Sequence, residues 1–192
     1  EKKKKKDPSR NIDIYLDYGI AGAGAVYYYL FAPQFHPQKT AYIYIDRDDT
    51  ADSIYNKVKA QGNPRSFIGF KWMAQWRDYP HNIHTGRYAI RPGENTYHVF
   101  AAYQGYQEPL NLTIGSVRTL DKLARSVGRQ LMIDSAEIAR TMNDSLFRHK
   151  LGYNKETMAC LFIPETYQVY WDMSVEDFFK RMRKEHQRFW IS

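Results

Sequence analysis

Glu165 has the surroundings that acid catalysis would ask for. It is the one glutamate inside a mostly apolar stretch, LFIPETYQVYW, at 161–171 of the 192-residue chain. A carboxyl group withdrawn from water gains pKa, and an acid that must deliver a proton near neutral pH needs that gain. Thr166 and Tyr167 stand beside it as hydroxyl partners. The same setting suits a carboxylate that accepts hydrogen bonds from backbone and hydroxyl groups and so holds a turn. The residues alone leave both readings open.

The other constellations favour plainer roles. Asp46, Asp48 and Asp49 resemble the start of a calcium loop, but Ala51 stands where the loop needs glycine and no glutamate closes it, so helix capping is the better reading. His81 and His84 lie three apart in a Pro/Asn loop without a third ligand, which suits surface histidines. Gly19, Gly22 and Gly24 fall short of a dinucleotide-binding spacing. Cys160 is the single cysteine, which excludes an intrachain disulfide and a cysteine-based zinc site. No nucleophile-elbow motif occurs.

The elements that would position these residues are mixed. Tyr42 to Ile45 (YIYI) reads as a strand. Asp48, Asp49 and Thr50 offer caps for a helix to about Ala60, ended by Gly62 and Pro64. A helix over Phe67 to Trp76 carries a broad apolar stripe of Phe67, Phe70, Trp72, Met73 and Trp76. Gly86 to Ile90 reads as a strand, and Asn95 or Thr96 caps a short helix to about Tyr103. Residues 41–104 thus form a compact β-α-α-β-α unit. Beyond it, LNLTI at 110–114 alternates as a half-buried strand should, and helices follow from Leu120, from the Asp134-Ser135 cap and from Asp144. Tyr167 to Trp171 reads as a strand, and Ser174 caps a closing helix. The order predicts an α+β fold rather than a doubly wound one.

Net charge is +7, yet residues 1–6 alone supply +4 through five lysines and one glutamate. The remaining +3 is too little, and too concentrated elsewhere, for a surface that neutralises many phosphates, so no nucleic-acid partner is expected. Such a lysine run before an apolar segment suits a cytoplasmic membrane flank. From Tyr18 to Ala32 there is no charge. Fifteen residues rise about 22 Å as a helix, against the roughly 30 Å of a bilayer's hydrocarbon core. Extension back to Ile14 lengthens the segment and includes Asp17. Residues 14–32 are therefore expected to anchor the chain, with the tyrosines at 27–29 at the far interface and residues 33–40 (PQFHPQKT) as a linker.

Three stretches carry a family resemblance. TGRYAIRPGE (Thr85 to Glu94), LNLTIGSVRTLDKLARSVGRQL (Leu110 to Leu131) and CLFIPETYQVYWDMSVEDFFKRM (Cys160 to Met182) resemble the MltG/YceG endolytic murein transglycosylases, Bacteroidota type, over roughly 41–190. The match is most specific at Leu161 to Tyr167 and Gly86 to Tyr88, with Phe189-Trp190 as a supporting pair.

The resemblance implies an organisation: basic N-terminus and membrane anchor at 1–32, linker at 33–40, LysM-like subdomain at 41–104, and the first part of a mixed α+β transglycosylase domain at 105–192. It implies a single-pass inner-membrane protein with its bulk in the periplasm. Its partners would be peptidoglycan glycan strands, cell-wall synthesis proteins and the membrane through 14–32. The implied activity cuts nascent glycan strands, leaving 1,6-anhydro-N-acetylmuramic acid ends, with one glutamate acting as acid and then base and with no metal or organic cofactor. That glutamate belongs to an ASIVE-like motif that residues 1–192 do not contain. The expectation is therefore that the catalytic acid lies beyond Ser192 and that this chain alone is inactive. Glu165, Thr166 and Tyr167 carry over only as supporting, cleft-wall residues. The alternative is a non-catalytic module that binds peptidoglycan or a cell-wall partner.

Overall fold

The computed structural model describes residues 8–116 and 118–191, with side chains for 17–116 and 118–190. The expected lysine run at 1–6 lies outside the described residues. The chain folds as α1 (Pro8–Leu30), β1 (Ala41–Ile45), α2 (Ala51–Gly62), α3 (Ile68–Trp76), β2 (Gly86–Ile90), α4 (Thr96–Ala102), β3 (Leu110–Ile114), α5 (Leu120–Gly128), α6 (Ser135–Asn143), α7 (Ser145–Leu151), β4 (Glu165–Val169) and α8 (Val175–Ile191). Short 3₁₀ turns stand at Tyr79–His81 and Met158–Leu161. This is the mixed α+β order that the patterning predicts.

Helix starts follow local chemistry. Thr50 closes a reciprocal capping box with Ser53 at α2. Asn95, Thr119, Asp134 and Asp144 each accept a backbone N–H in the first turns of α4, α5, α6 and α7. Ser174 does the same for Asp177 N–H in α8. Gly152 ends α7 with φ 88°, a left-handed conformation that glycine adopts without strain. Strand β4 begins at Glu165 and ends at Val169, two residues earlier at each end than its apolar run suggests. The reason is pairing: β4 lies antiparallel to β3 in the register Leu110↔Val169 to Ile114↔Glu165, so β3 sets its ends. Strands β1 and β2 form a second two-stranded sheet.

The contacts divide the chain into two compact units. The first takes in the chain up to Ile43, then Thr50–His84 and Ala89–Tyr106. Its core is aromatic: Phe70 packs edge-on against Phe100 at 5.3 Å and Tyr103 at 6.0 Å, and Tyr79 meets Phe100 at 5.6 Å. Ile43, Ile54, Val58 and Ile90 are fully buried with them. Of the apolar stripe expected on α3, only part turns inward. Phe70 and Met73 are buried, whereas Trp72 and Trp76 are 47% and 78% exposed. Positions 72 and 76 turn away from the side that 70 and 73 bury; Tyr29 covers part of Trp72, and Trp76 stays largely open.

Residues 33–40, expected as a linker from their prolines, are built into this unit instead. Phe35 is fully buried, Gln34 N–H and Phe35 N–H both donate to Glu94 O at 3.0 Å, and Phe35 bridges Pro64. The apolar payload of one phenylalanine outweighs the loop-like composition around it.

The anchor expected at 14–32 is not borne out. Among the described residues no helix is long and apolar enough to cross a membrane. Helix α1 is long, but Asp17 and its tyrosine hydroxyls lower its hydropathy. Its last turn packs within the first unit: Tyr29 meets Trp72 edge-on at 5.6 Å, and a Cβ at Gly69 would collide with the Tyr29 carbonyl oxygen. Cβ atoms at Gly19, Gly22 and Gly24 would meet nothing within 4 Å, so no helix packs on those glycines.

The second unit comprises Tyr44–Asp49, Thr85–Tyr88 and the chain from Gln107 onward. One face of the β3–β4 sheet, Leu112, Ile114, Tyr167 and Val169, is buried. The faces of α5 (Leu123, Ala124, Val127), α6 (Ile138, Met142) and α8 (Phe178, Phe179, Met182) join it in a single core. The opposite face of the sheet, with Asn111, Thr113, Thr166 and Gln168, is exposed, as period-2 alternation requires.

Candidate functional site

The block that carries the strongest sequence signal is split between core and solvent. Leu161, Phe162 and Tyr167 enter the core of the second unit, while Pro164, Glu165 and Thr166 face solvent. Tyr167 donates its hydroxyl hydrogen to Ile163 O at 2.8 Å, and burial pushes its phenol above the ordinary range. Thr166 Oγ1 lies 3.1 Å from Thr113 Oγ1 across the sheet. Glu165 shares strand parity with Tyr167 and Val169, but it opens β4 and is exposed there. The buried setting that would make Glu165 an acid catalyst is absent. Among the described residues the fully buried polar side chains are Gln34 and Thr96, while Glu185, its side chain 12% exposed, is held in ion pairs by Arg181 at 2.8 Å and Arg188 at 3.2 Å.

The remaining candidates are also placed. Asp49 Oδ2 accepts Asp46 N–H and Asp46 Oδ1 accepts Asp48 N–H, each at 3.0 Å. The aspartates tie a turn, and Thr50 rather than either aspartate caps α2. His81 is exposed against Asp78 at 2.7 Å, and that hydrogen bond raises its pKa. Among the described residues no cluster of three metal-ligating side chains occurs. Cys160 is a free, exposed thiol.

A site that sequence reasoning missed lies elsewhere in the second unit, at the turn after β4. Three recesses adjoin Trp171 to Ser174. One, of about 580 Å³, is lined by Tyr44, Arg87, Leu110, Asn111, Arg129, Gln130 and Trp171. Across Trp171 a recess of about 450 Å³ is lined by Asp46, Asp48 and Glu137, together with Arg47 and the Leu131–Ile133 segment. A third, of about 690 Å³, runs along Gln168–Tyr170, Asp172 and Arg181. Each is an open depression with one or two aromatic rings and several polar groups in its wall.

Asp172 holds the turn. Its Oδ2 accepts the Thr85 hydroxyl at 2.7 Å and its Oδ1 accepts the Gln107 amide at 2.8 Å. Met132 N–H donates to Trp171 O at 2.9 Å. Tyr44 packs edge-to-face on Trp171 with ring centroids 5.1 Å apart. Tyr88, fully buried beside this clamp, donates to Thr85 O at 3.1 Å. Desolvation, with a smaller push from Asp172, lifts its phenol to about 12. The Gln130 side chain closes the outer edge of β3: it accepts Thr113 N–H and donates to Thr113 O, both at 3.0 Å. That contact fixes the end of α5, where Arg129 projects. The site draws on residues 44, 87, 129 and 171, so no local motif announces it. The one available hint was a Tyr and a Trp at the ends of two strands.

The YceG-like family matches residues 43–191, and the chain belongs to that family. The crystal structure of a YceG-like protein from Listeria monocytogenes resembles it at 22% identity and a TM-score of 0.42, over 77% of this chain and 54% of that one. This chain therefore spans about half the length of that protein. No curated protein matches.

Proposed function

We propose that the protein is an endolytic peptidoglycan transglycosylase, and that residues 43–191 supply glycan-facing walls rather than the acid that cuts. The observation that carries this is the YceG-like family match over those residues. The geometry is consistent with it in one respect: the described residues hold recesses with aromatic walls, while Glu165 is exposed and Glu185, 12% exposed, is tied up in ion pairs with Arg181 and Arg188. Under this reading the single glutamate acts from polypeptide outside these residues. The work is done on nascent glycan at the bacterial inner membrane, with the bulk of the protein in the periplasm, and Glu165, Thr166 and Tyr167 brace the sheet end beside the cleft.

The test uses purified sacculi and mass spectrometry of the released fragments. The 192-residue chain should release none, and the full gene product should release fragments with 1,6-anhydro ends. Hydrolysed, reducing ends from the full product, or no fragments at all, would overturn the proposal.

A second reading, a non-catalytic binding module, is favoured by the exposed Trp72 and Trp76 on α3. Exposed indoles are common platforms for sugar rings and partner surfaces. The two readings divide on product formation, since a pure binding module retains sacculi and releases nothing in any form.

A further inference from the structure

We infer that the recess between Trp171 and Arg129 binds an amino sugar bearing a carboxylate. The inference rests on the peptidoglycan reading above and goes further by giving one recess a ligand chemistry.

Two guanidinium groups (Arg87, Arg129), two carboxamides (Asn111, Gln130) and two aromatic rings (Tyr44, Trp171) line the recess, and no carboxylate does. Its polar groups are not equally available. Arg87 donates to Pro109 O at 2.7 Å, and Gln130 is held on the β3 backbone. Arg129 and Asn111 are exposed, and among the described residues their side chains make no hydrogen bond or ion pair. A guanidinium and a carboxamide with unused donors, next to an edge-to-face aromatic pair, match an anionic sugar: the ring's C–H face lies on the aromatics and the carboxylate on the cation. Charge also sets direction. The recess across Trp171 carries Asp46, Asp48 and Glu137 against a single Arg47, a net negative lining that disfavours an anion, so the carboxylate belongs on the Arg129 side.

The experiment follows the Trp171 indole N–H by NMR in the whole 192-residue chain, with the resonance assigned through Trp171→Phe. The ligands are N-acetylmuramic acid (carboxylate on the sugar), muramyl dipeptide (carboxylate on the peptide) and neutral N-acetylglucosamine. At least one acidic ligand should shift the resonance and bind about fivefold tighter than the neutral sugar at low salt, the scale of one exposed charge pair. Which acidic ligand responds tells lactyl from peptide carboxylate. Arg129→Gln, an exposed position that should not disturb folding, should abolish the preference, whereas Lys155→Gln, the same charge change in a distant loop, should keep it. Equal affinity for acidic and neutral sugars, a preference that survives Arg129→Gln, or no response to any ligand would overturn the inference. These failures are separable from failure of the transglycosylase reading, which is judged by the anhydro ends that the full gene product forms.

Discussion

Both oxygens of Asp172 are occupied by donors distant in sequence, the Thr85 hydroxyl and the Gln107 amide. In Asp172→Ala both acceptors are lost, and the Gln107 amide and Thr85 hydroxyl lose their partner. Unfolding in urea should show a loss of about 1–3 kcal/mol, the cost of an unsatisfied polar contact. The Trp171 indole resonance should move as well, because the clamp positions the adjoining residue. Tyr88 gives a pH test of the same region. Its folded pKa, about 12, lies above the unfolded value near 10, so the neutral phenol is favoured in the fold. The sign follows: this contribution is complete below pH 10 and is lost as pH rises toward 12. Tyr88→Phe should remove that component of alkaline destabilisation, which stability measured every half pH unit would reveal as a flatter curve. A variant whose curve overlays the parent's would refute the assignment. Glu165 shows why single residues mislead in sequence. Its apolar neighbours imply burial, but Leu161, Phe162 and Tyr167 are carried inward and Glu165 is carried out, at a strand end fixed by pairing with Ile114.

Elements were legible where their causes are local. Thr119, Asp134, Asp144 and Ser174 cap the helices that begin after them because a side-chain oxygen two or three residues from a free N–H needs no tertiary help. The ends of β4 were not legible, since they are set by a partner more than fifty residues away. Nor was the role of Phe35, whose burial depends on the backbone of Glu94 and on Pro64. Close approach of elements is equally invisible until the backbone is placed. Gly69 is the case in point, because its missing Cβ leaves room for the Tyr29 carbonyl. Gly69→Ala should cost about 1–3 kcal/mol in thermal or urea unfolding and should loosen the end of α1, seen as faster proteolysis there. Gly24→Ala, within α1 and with nothing within 4 Å, should be neutral or stabilising by up to about 1 kcal/mol. Equal effects at the two glycines would refute the close packing of α1 on α3.

At the scale of the whole molecule, linear boundaries fail for a topological reason. The second unit takes 44–49 and 85–88 from the middle of what reads as an N-terminal subdomain, so Tyr44 and Arg87 reach its recesses and no single cut can isolate them. Net charge is also a whole-molecule property, and at +7 it adds a diffuse attraction to any anionic polymer. Retention on sacculi is therefore informative only at about 0.5 M salt, where the Debye length falls to roughly 4 Å and diffuse attraction is screened. What survives there must come from contact surfaces, and the exposed indoles of the first unit are the candidates that the binding-module reading names. Trp76, 78% exposed with Arg77 stacked on it at 5.2 Å, can be removed with little cost to folding. Trp76→Ala should melt within a few degrees of the parent and lose several-fold in salt-resistant retention, with Trp72→Ala acting in the same direction. If both variants stay bound like the parent while melting normally, the α3 face has no part in holding glycan, and the contact falls to the Trp171 recesses of the second unit.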